Sequence, residues 1–371
     1  MRRFERIYDV VEPVEEYRRG GYHPVHLDDV FQQRYTVSGK LAYGQYSTVW
    51  LAEDAGSNQR QVALKILKAE ISKNNDELSM LLRASASRGN HPGRTNVVGL
   101  LDHFYHTGPN GTHLCLVFPV MVSDGQAMTT TGVPRCAGYV QIVSRQILLG
   151  LDFLHQSGIV HCDLQPANIM VSMAGDSCEN FLQPPEFSPV KWLEGVTQDD
   201  SAPRYLLPSQ RRRGQLDHVD STKLVVKIGD LGGAQWAQQC DQQTLTPISL
   251  RAPELIHREH WDLSIDIWSL GCLIFELATN EPLFPLDVFG LAREEIDKQH
   301  DSLITQRLCV GGRRDQDFAA YVKERLPDDF GSENARSLAA FLLAMLQVSP
   351  ERRLSAKDLL SAPFLLGRSE G

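Results

Sequence analysis

The hydrophobic pattern of this chain changes its period once, near its middle. Residues 35–67 contain β-branched and aromatic runs broken by a Gly-containing turn and by DAGSNQ, which predicts a meander of three strands. After a polar stretch at 121–133, the segment 138–158 has the period of one long amphipathic helix, and most of the chain beyond residue 158 is helical in pattern. The chain is therefore predicted to be an α+β protein, with a small β-rich part before a larger helical part.

Between the meander and the polar stretch, the pattern predicts one helix and two more strands. The segment NNDELSMLLRA has leucines at helical spacing, and Asn74, Asn75 or Asp76 could cap this helix. The two further strands are expected within residues 97–120.

Residues 174–222 interrupt the helical part. They are rich in Pro, Ser, Asp and Gln and have no hydrophobic period, which predicts an inserted loop with at most some order around PRYLLP at 203–208. Because folding free energy depends only weakly on the length of a surface loop, deleting residues 178–218 is expected to leave ATP affinity and peptide kinetics nearly unchanged.

Composition limits the partners and the compartment. In 371 residues, 46 Asp and Glu exceed 37 Lys and Arg; the net charge of −9 is unfavourable for a nucleic-acid surface and favourable for cationic partners. Seven cysteines show no CxxC pairing and no metal-ligand spacing with His, which indicates a reducing compartment. Neither a signal-peptide core nor an apolar run of ~18 residues is present. We expect a soluble intracellular monomer, in the cytoplasm or nucleus, without membrane or direct nucleic-acid partners.

Three residues of the β-rich part could bind phosphate groups. Gly44 lies in a predicted turn between strands, where the missing side chain lets backbone N–H groups approach a phosphate. Lys65 follows in the strand VALK, and Glu77 on the next helix could pair with its ammonium group. Each residue alone also fits an ordinary role, as a strand turn, a solvated edge lysine or a surface helix glutamate.

Three polar residues of the helical part could carry chemistry. In HCDLQPAN, residues 161–168, Asp163 could accept a proton from a hydroxyl group and Asn168 could bind Mg²⁺ through its amide oxygen. In KIGDLGG, Asp230 ends a predicted strand before a Gly pair, where a carboxylate is suited to bind metal beneath phosphates. Taken alone, the first motif also fits a capping turn and the second a common Asp-containing turn.

The order of these motifs is more informative than any one of them. It is the order found in a single protein-kinase domain, and it runs through Gly44, Lys65, Glu77, His161, Asp163, Asn168, Asp230 and RAPE at 251–254. The chain therefore resembles the eukaryotic protein kinases. DIWSLGC and the closing segment SPERRLSAKDLLSAPFL also resemble that family, in which Asp266 would tether the catalytic loop and Arg353 would pair with Glu254.

The resemblance implies a two-lobed kinase fold with ATP and Mg²⁺ as cofactors. An N-terminal extension at 1–34 would precede a kinase domain at 35–366, divided into an N-lobe at 35–121 and a C-lobe at 122–366 that carries the insert 174–222. Catalytic roles are implied for Asp163, Lys65, Glu77 and Gln165, and metal binding for Asn168 and Asp230. Nucleotide contacts are implied for Ala42, Gly44, Ser47, Val49, Ala63, Lys65, Pro119, Met121 and Met170.

A narrower resemblance is to the serine/arginine-rich-protein kinases of the CMGC group. Their signature GGYHPV stands letter for letter at 20–25, Arg251 precedes APE, and DLG replaces DFG. This resemblance implies a serine/threonine kinase for Arg/Ser-rich proteins linked to mRNA splicing. The family's acidic docking groove cannot be matched residue by residue; its candidates, which also fit a solvated helix face, are Glu281, Asp287, Glu294 and Glu295.

Two substitutions in the catalytic loop leave alternatives to protein kinase activity open. Cys162 replaces the Arg that many kinases pair with a phosphorylated activation segment, and Gln165 replaces the Lys that contacts the transferring phosphate. Of the three glycines in the phosphate loop, only the central one remains. The alternatives are a nucleotide-binding pseudokinase scaffold and a small-molecule phosphotransferase. Because Asp163 and both metal ligands remain, we interpret the chain as a working but slower protein kinase.

Overall fold

The computed structural model describes residues 2–57, 60–73, 75–86, 90–126, 134–173, 182–211, 223–240, 243–308 and 314–367. Strands β1 to β13 span Val30–Phe31, Tyr35–Tyr43, Ser47–Asp54, Arg60–Leu67, Asp102–Gly108, Gly111–Pro119, Ser123–Asp124, Ile159–Val160, Ile169–Met173, Ser188–Pro189, Tyr205–Leu206, Leu224–Ile228 and Gln235–Trp236. Helices α1 to α10 span Ala69–Ser72, Glu77–Ala86, Ala137–Gln156, Pro253–His257, Ser264–Thr279, Arg293–Leu308, Arg314–Lys323, Ser332–Met345, Ala356–Leu359 and Pro363–Leu366. The β-rich region precedes the helical region, which confirms the predicted α+β class.

The chain forms two compact units. The N-terminal unit contains Met1–Ser85, Val98–Ser123 and Gly175–Arg213, and the remaining segments form the C-terminal unit. The sequence-based boundaries assigned the insert to the C-lobe as a loop, whereas the structure groups its described part, 182–211, with the N-terminal unit. Residues 174–181 and 212–222 of the insert, and 127–133 of the polar stretch, lie outside the described residues.

The N-terminal unit contains a six-stranded antiparallel sheet, in the order β1-β2-β3-β4-β6-β5. The predicted meander is confirmed as β2, β3 and β4, and the two further strands as β5 and β6. One face of the sheet buries Val37, Trp50 and Leu64, each at most 2% exposed. Helix α2 begins at Glu77, whose N–H donates to Asn75 Oδ1 at 2.7 Å, so Asn75 is the cap; Asn74 lies outside the described residues.

The N-terminal extension and the insert complete the hydrophobic core of this unit. Leu207 of the insert is 1% exposed and packs in the same cluster as Val25, Val37 and Trp50. The preceding Leu206 lies in a second cluster with two tyrosines of the extension. The description of residues 182–211 as an inserted loop is therefore incomplete, because Leu206 and Leu207 of this polar segment are buried. The predicted order around PRYLLP is confirmed by β11, which pairs with β10.

The insert also forms hydrogen bonds with β2, along the part of this strand that lies at the edge of the sheet. The backbone of Gln210 donates to the carbonyl of Lys40 at 2.9 Å, and its side-chain oxygen accepts from the N–H of Lys40 at 2.8 Å. The Lys40 side chain is fully buried in an ion pair with Glu12 of the extension, to which Tyr17 also donates. Edge strands need such cover because their unpaired N–H and C=O groups otherwise attract other chains.

The C-terminal unit is built on the buried helices α3 and α5. The pattern-based helices at 138–158 and within DIWSLGC and ARSLAAFLLAML are confirmed as α3, α5 and α8. Strands β9 and β12 form an antiparallel hairpin in which Met173 is the partner of Leu224. Gln146 of α3 fastens this hairpin, since its side chain donates to Leu224 O and accepts from Val226 N. Among the described helices, none is long and apolar enough to cross a membrane.

Candidate active site

The turn between β2 and β3 contains the candidate phosphate loop. Ala42 pairs with Val49 in the strand register, and the N–H of Gly44 donates to Ser47 O at 2.9 Å, which closes the turn. A Cβ atom at Gly44 would meet no heavy atom within 4 Å. The space above this residue is open, as a loop that receives a ligand through its backbone requires.

Lys65 and Glu77 form the predicted ion pair. Lys65 Nζ lies 2.6 Å from Glu77 Oε1, and the two side chains are 12% and 2% exposed. The strand register places Lys65 of β4 beside Val49 of β3, so the ammonium group is carried by the neighbour of the strand that follows the loop. The Asn75 cap fixes the first turn of α2 and with it the carboxylate that orients Lys65.

The residues predicted to contact adenine fall in two places. Ala63 and Val49 lie in one apolar cluster with Phe118, and Pro119 ends β6 as the partner of Val62. Met121 follows and is 9% exposed. These residues belong to the N-terminal unit, whereas Met170 lies on β9 of the C-terminal unit.

The catalytic loop of the C-terminal unit holds Asp163 by both carboxylate oxygens. Gln165 Nε2 donates to Asp163 Oδ1 at 2.7 Å, and Asn168 Nδ2 donates to Asp163 Oδ2 at 2.9 Å. The Asn168 amide nitrogen also donates to the Asp163 carbonyl at 2.8 Å. Because this nitrogen is engaged, the amide oxygen of Asn168 is the atom suited to bind a metal.

Burial makes the carboxyl group of Asp163 a weaker acid than an ordinary aspartate. It raises the pKa of Asp163 to about 6, and the negative charge of Asp230 acts in the same direction. The His161 ring and the hydrogen bonds from Asn168 and Gln165 oppose this rise in pKa. A carboxylate with such a pKa can take a proton near neutral pH and release it again.

Asp230 lies two residues after β12 in a left-handed conformation, with φ of 57°, and its carboxylate accepts from Gly232 N at 3.2 Å. The preceding Gly229 donates to Asn168 O at 2.9 Å, and His161 Nε2 contacts Gly229 O at 3.0 Å. Asn168 and Asp230 are thus carried by two hydrogen-bonded segments. Their oxygens fit Mg²⁺, which binds through one or two protein oxygens together with water and phosphate.

A buried carboxylate fixes the backbone of the catalytic loop. Asp266 of α5 accepts from the N–H of His161 at 2.7 Å and from that of Cys162 at 2.9 Å, which confirms the predicted tether. His155 Nε2 lies 3.0 Å from the same carboxylate, a contact that no motif in the sequence had suggested. Cys162 has a φ of 62°, so the tether holds a residue in a conformation that side chains rarely adopt.

The segment before RAPE is held by packing and hydrogen bonds. Thr246 is 2% exposed and donates to Cys162 O at 2.6 Å, and Arg251 Nε donates to Thr246 O at 2.9 Å. Downstream, Arg353 Nη2 lies 2.7 Å from Glu254 Oε2, which confirms that predicted pair. These contacts hold the segment and the RAPE motif that follows it.

The sequence profile of the protein kinase domain matches residues 35–183 and 215–365. The chain belongs to the protein kinase family. It is 34% identical to the serine/threonine-protein kinase SRPK of Physarum polycephalum, over 95% of this chain and 91% of the relative. It is 28% identical to protein kinase dsk1 of Schizosaccharomyces pombe, over 97% and 86%, and 25% identical to SRSF protein kinase 3 of Mus musculus, over 95% and 90%.

These similarities confirm the resemblance to the SR-protein kinases, the two-lobed kinase fold and the class of serine/threonine protein kinase. The profile leaves residues 184–214 unmatched, and these include most of the described insert. Sequence reasoning missed the kinase's buried Lys40–Glu12 pair and the contact of Tyr22 with the phosphate loop. Tyr22 lies in the motif GGYHPV, which indicated the family but from which no contact of this tyrosine was predicted.

Proposed function

We propose that this kinase uses ATP and Mg²⁺ to phosphorylate serine in Arg/Ser-rich proteins, including proteins of mRNA splicing. The observation that carries the proposal is the carboxylate of Asp163, held by Gln165 on one oxygen and by Asn168 on the other. A fixed, partly buried carboxylate can orient a substrate hydroxyl and accept its proton as the new O–P bond forms and the bond from the γ-phosphorus to ADP breaks.

The other residues would position the phosphates. Lys65, held by Glu77, would bind the α and β phosphates, and the backbone around Gly44 would cover them. The oxygens of Asn168 and Asp230 would hold Mg²⁺, which neutralises charge that develops on the phosphate oxygens.

Charge supports a cationic substrate. The net charge is −9, and the four acidic groove candidates are all exposed. Three of them also have local partners: Glu281 pairs with Arg325 at 3.2 Å, Asp287 accepts from Phe289 N, and Glu295 accepts from Ala292 N. We therefore favour Glu294, at the start of α6, as the contact for a substrate arginine.

A transfer assay with labelled ATP tests the proposal. We compare an Arg/Ser-repeat peptide with the same peptide in which every Arg is replaced by Ala, with and without EDTA. We expect Mg²⁺-dependent transfer with a higher kcat/KM for the Arg/Ser peptide. Equal use of the two peptides would refute the substrate class, and ATP binding without transfer to either peptide would favour the pseudokinase scaffold.

Activity is expected without phosphorylation of the activation segment. Thr244 and Thr246 are both buried, and Cys162 offers no cation to receive a phosphate from them. Phosphatase-treated and untreated kinase should therefore have the same specific activity, with removal of phosphate checked by mass spectrometry. A large loss of rate that rephosphorylation restores would contradict this expectation.

Replacing Gln165 with Lys is expected to accelerate the chemical step about five-fold. An amide donates hydrogen bonds but brings no charge to the developing phosphate oxygens, and one preorganised donor is typically worth ~3 kcal/mol. Because Mg²⁺ and Lys65 would already neutralise much of that charge, the gain should be nearer ~1 kcal/mol. The measurement is the single-turnover rate, with Gln165→Met as a neutral control of similar length. A Lys variant no faster than the wild type would show that charge at this position does not limit transfer.

A further inference from the structure

The phosphate loop is fastened from outside the sheet by the N-terminal extension. The hydroxyl of Tyr22 donates to the carbonyl of Gly44 at 2.6 Å. A second anchor lies two residues along, where the N–H of Lys68 donates to Tyr46 O at 2.9 Å. The turn is therefore held at two of its carbonyls, whose orientation fixes the direction of the neighbouring N–H groups.

The environment of Tyr22 makes it a rigid support. Its side chain is 2% exposed, its ring lies 5.5 Å from that of Tyr17, and Lys68 Nζ lies 4.4 Å above the ring. Asn110 Nδ2 donates to the Tyr22 carbonyl at 2.6 Å and also to Ser201 O of the insert. Burial raises the pKa of the Tyr22 hydroxyl to about 12, so it keeps the proton that it donates.

The two glycines before Tyr22 explain how the chain delivers this ring. Gly20 has a φ of +87°, and a Cβ atom at Gly21 would lie 1.9 Å from the Glu16 carbonyl oxygen. Their own carbonyls accept from the first N–H groups of the α1 segment, at Glu70 and Ala69. The signature GGYHPV thus contains a tight turn that is hydrogen-bonded to the start of α1 and places a tyrosine against the loop.

We propose that Tyr22 is a positioning residue for ATP: its hydroxyl holds the Gly44 carbonyl so that the backbone N–H groups of the turn stay directed at the nucleotide phosphates. The inference rests on the proposed function of this loop. With only one of the usual three glycines, the loop gains from an external support that limits its alternative conformations. Because Tyr22 acts through the Gly44 carbonyl, its effect is expected in phosphate binding.

The test compares Tyr22→Phe with Tyr17→Phe in the full-length kinase. Both changes remove one hydroxyl from the same buried cluster and retain the ring. We expect Tyr22→Phe to raise Kd and KM for ATP about two- to ten-fold, the range for one net hydrogen bond, with kcat nearly unchanged. Affinity for adenosine, which has no phosphate, should stay at the wild-type value.

Tyr17→Phe is the matched control because the Tyr17 hydroxyl donates to the buried Glu12, at 2.5 Å, and not to the loop. We expect it to lower the melting temperature without changing ATP affinity. The proposal is overturned if Tyr22→Phe binds ATP as tightly as the wild type, or if it weakens adenosine binding as much as ATP binding. It is also overturned if Tyr17→Phe weakens ATP binding as much as Tyr22→Phe does. The Kd for ATP is measured without phosphate transfer. A wild type that binds ATP but transfers no phosphate would therefore refute the proposed kinase activity and leave the role of Tyr22 standing. A wild type that binds no ATP would refute both the kinase activity and the role of Tyr22.

Discussion

Replacing Asp163 with Asn is expected to reduce single-turnover transfer about 10²- to 10⁴-fold, the range for loss of a positioned proton acceptor. The amide keeps the size of the carboxylate but cannot take a proton from the substrate hydroxyl. The melting temperature should stay close to that of the wild type, because the change keeps the size of the side chain and Asp163 is a half-buried loop residue outside the hydrophobic core. Asp301→Asn is the matched control: it removes a carboxylate that is 49% exposed and lies 3.1 Å from His257 Nε2, so its rate should be unchanged. An Asp163→Asn kinase with wild-type turnover would refute the mechanism itself.

The pH dependence gives a second measurement on the same residue. The pKa of Asp163 is raised to about 6, and the proton acceptor is the ionised form. The single-turnover rate should therefore be full above about pH 7 and fall as pH decreases through about 6. In Gln165→Lys this acid limb should move to lower pH, because a nearby ammonium group favours the carboxylate. A rate that stays flat from pH 8 to pH 5 would contradict the assignment.

The contacts of the site that were predictable are local in sequence or carried by a motif. Asn168 lies five positions from Asp163 in one motif, and Glu77 lies on the first helix of more than one turn after the Lys65 strand, where the order of the kinase motifs predicts the pair. The tether from Asp266 spans about a hundred positions, yet it was predictable because DIWSLGC marks a buried helix in the family. The order of the motifs predicted contacts between distant parts of the chain, which hydrophobic periodicity does not predict.

The unpredicted contacts are those that bury polar or isolated residues over long chain distances. Lys40 looks like an ordinary strand lysine, yet it is fully buried against Glu12, and its backbone pairs with Gln210, 170 positions away. Leu206 and Leu207 are two apolar residues in a polar segment, so the segment's average composition predicts a loop. The structure places one leucine in each of two clusters, and this depends on the extension being present.

Replacing residues 174–223 with an Asn-Gly turn is expected to prevent the N-terminal unit from folding. Met173 and Leu224 are partners in the β9–β12 hairpin, and Asn-Gly suits a two-residue hairpin turn, so the C-terminal unit should tolerate the change. The N-terminal unit would lose Leu206, Leu207 and the pairing at Gln210. Each buried leucine contributes about 2–5 kcal/mol, which together approaches the whole stability of a typical domain. Calorimetry and nucleotide binding should show loss of the N-terminal transition and of ATP affinity.

Single substitutions separate this packing from the length of the insert. Leu207→Ala is expected to lower the melting temperature by roughly 5–15 °C, because it opens a cavity in the core that covers the sheet. Phe187→Ala is the matched control: its ring is 52% exposed and contacts Tyr205 edge-on, so its effect should be under about 1 kcal/mol. If the shortened kinase melts and binds ATP like the wild type, the buried leucines contribute nothing that the extension and sheet cannot supply alone. The polar insert would then be the peripheral loop that its composition suggests.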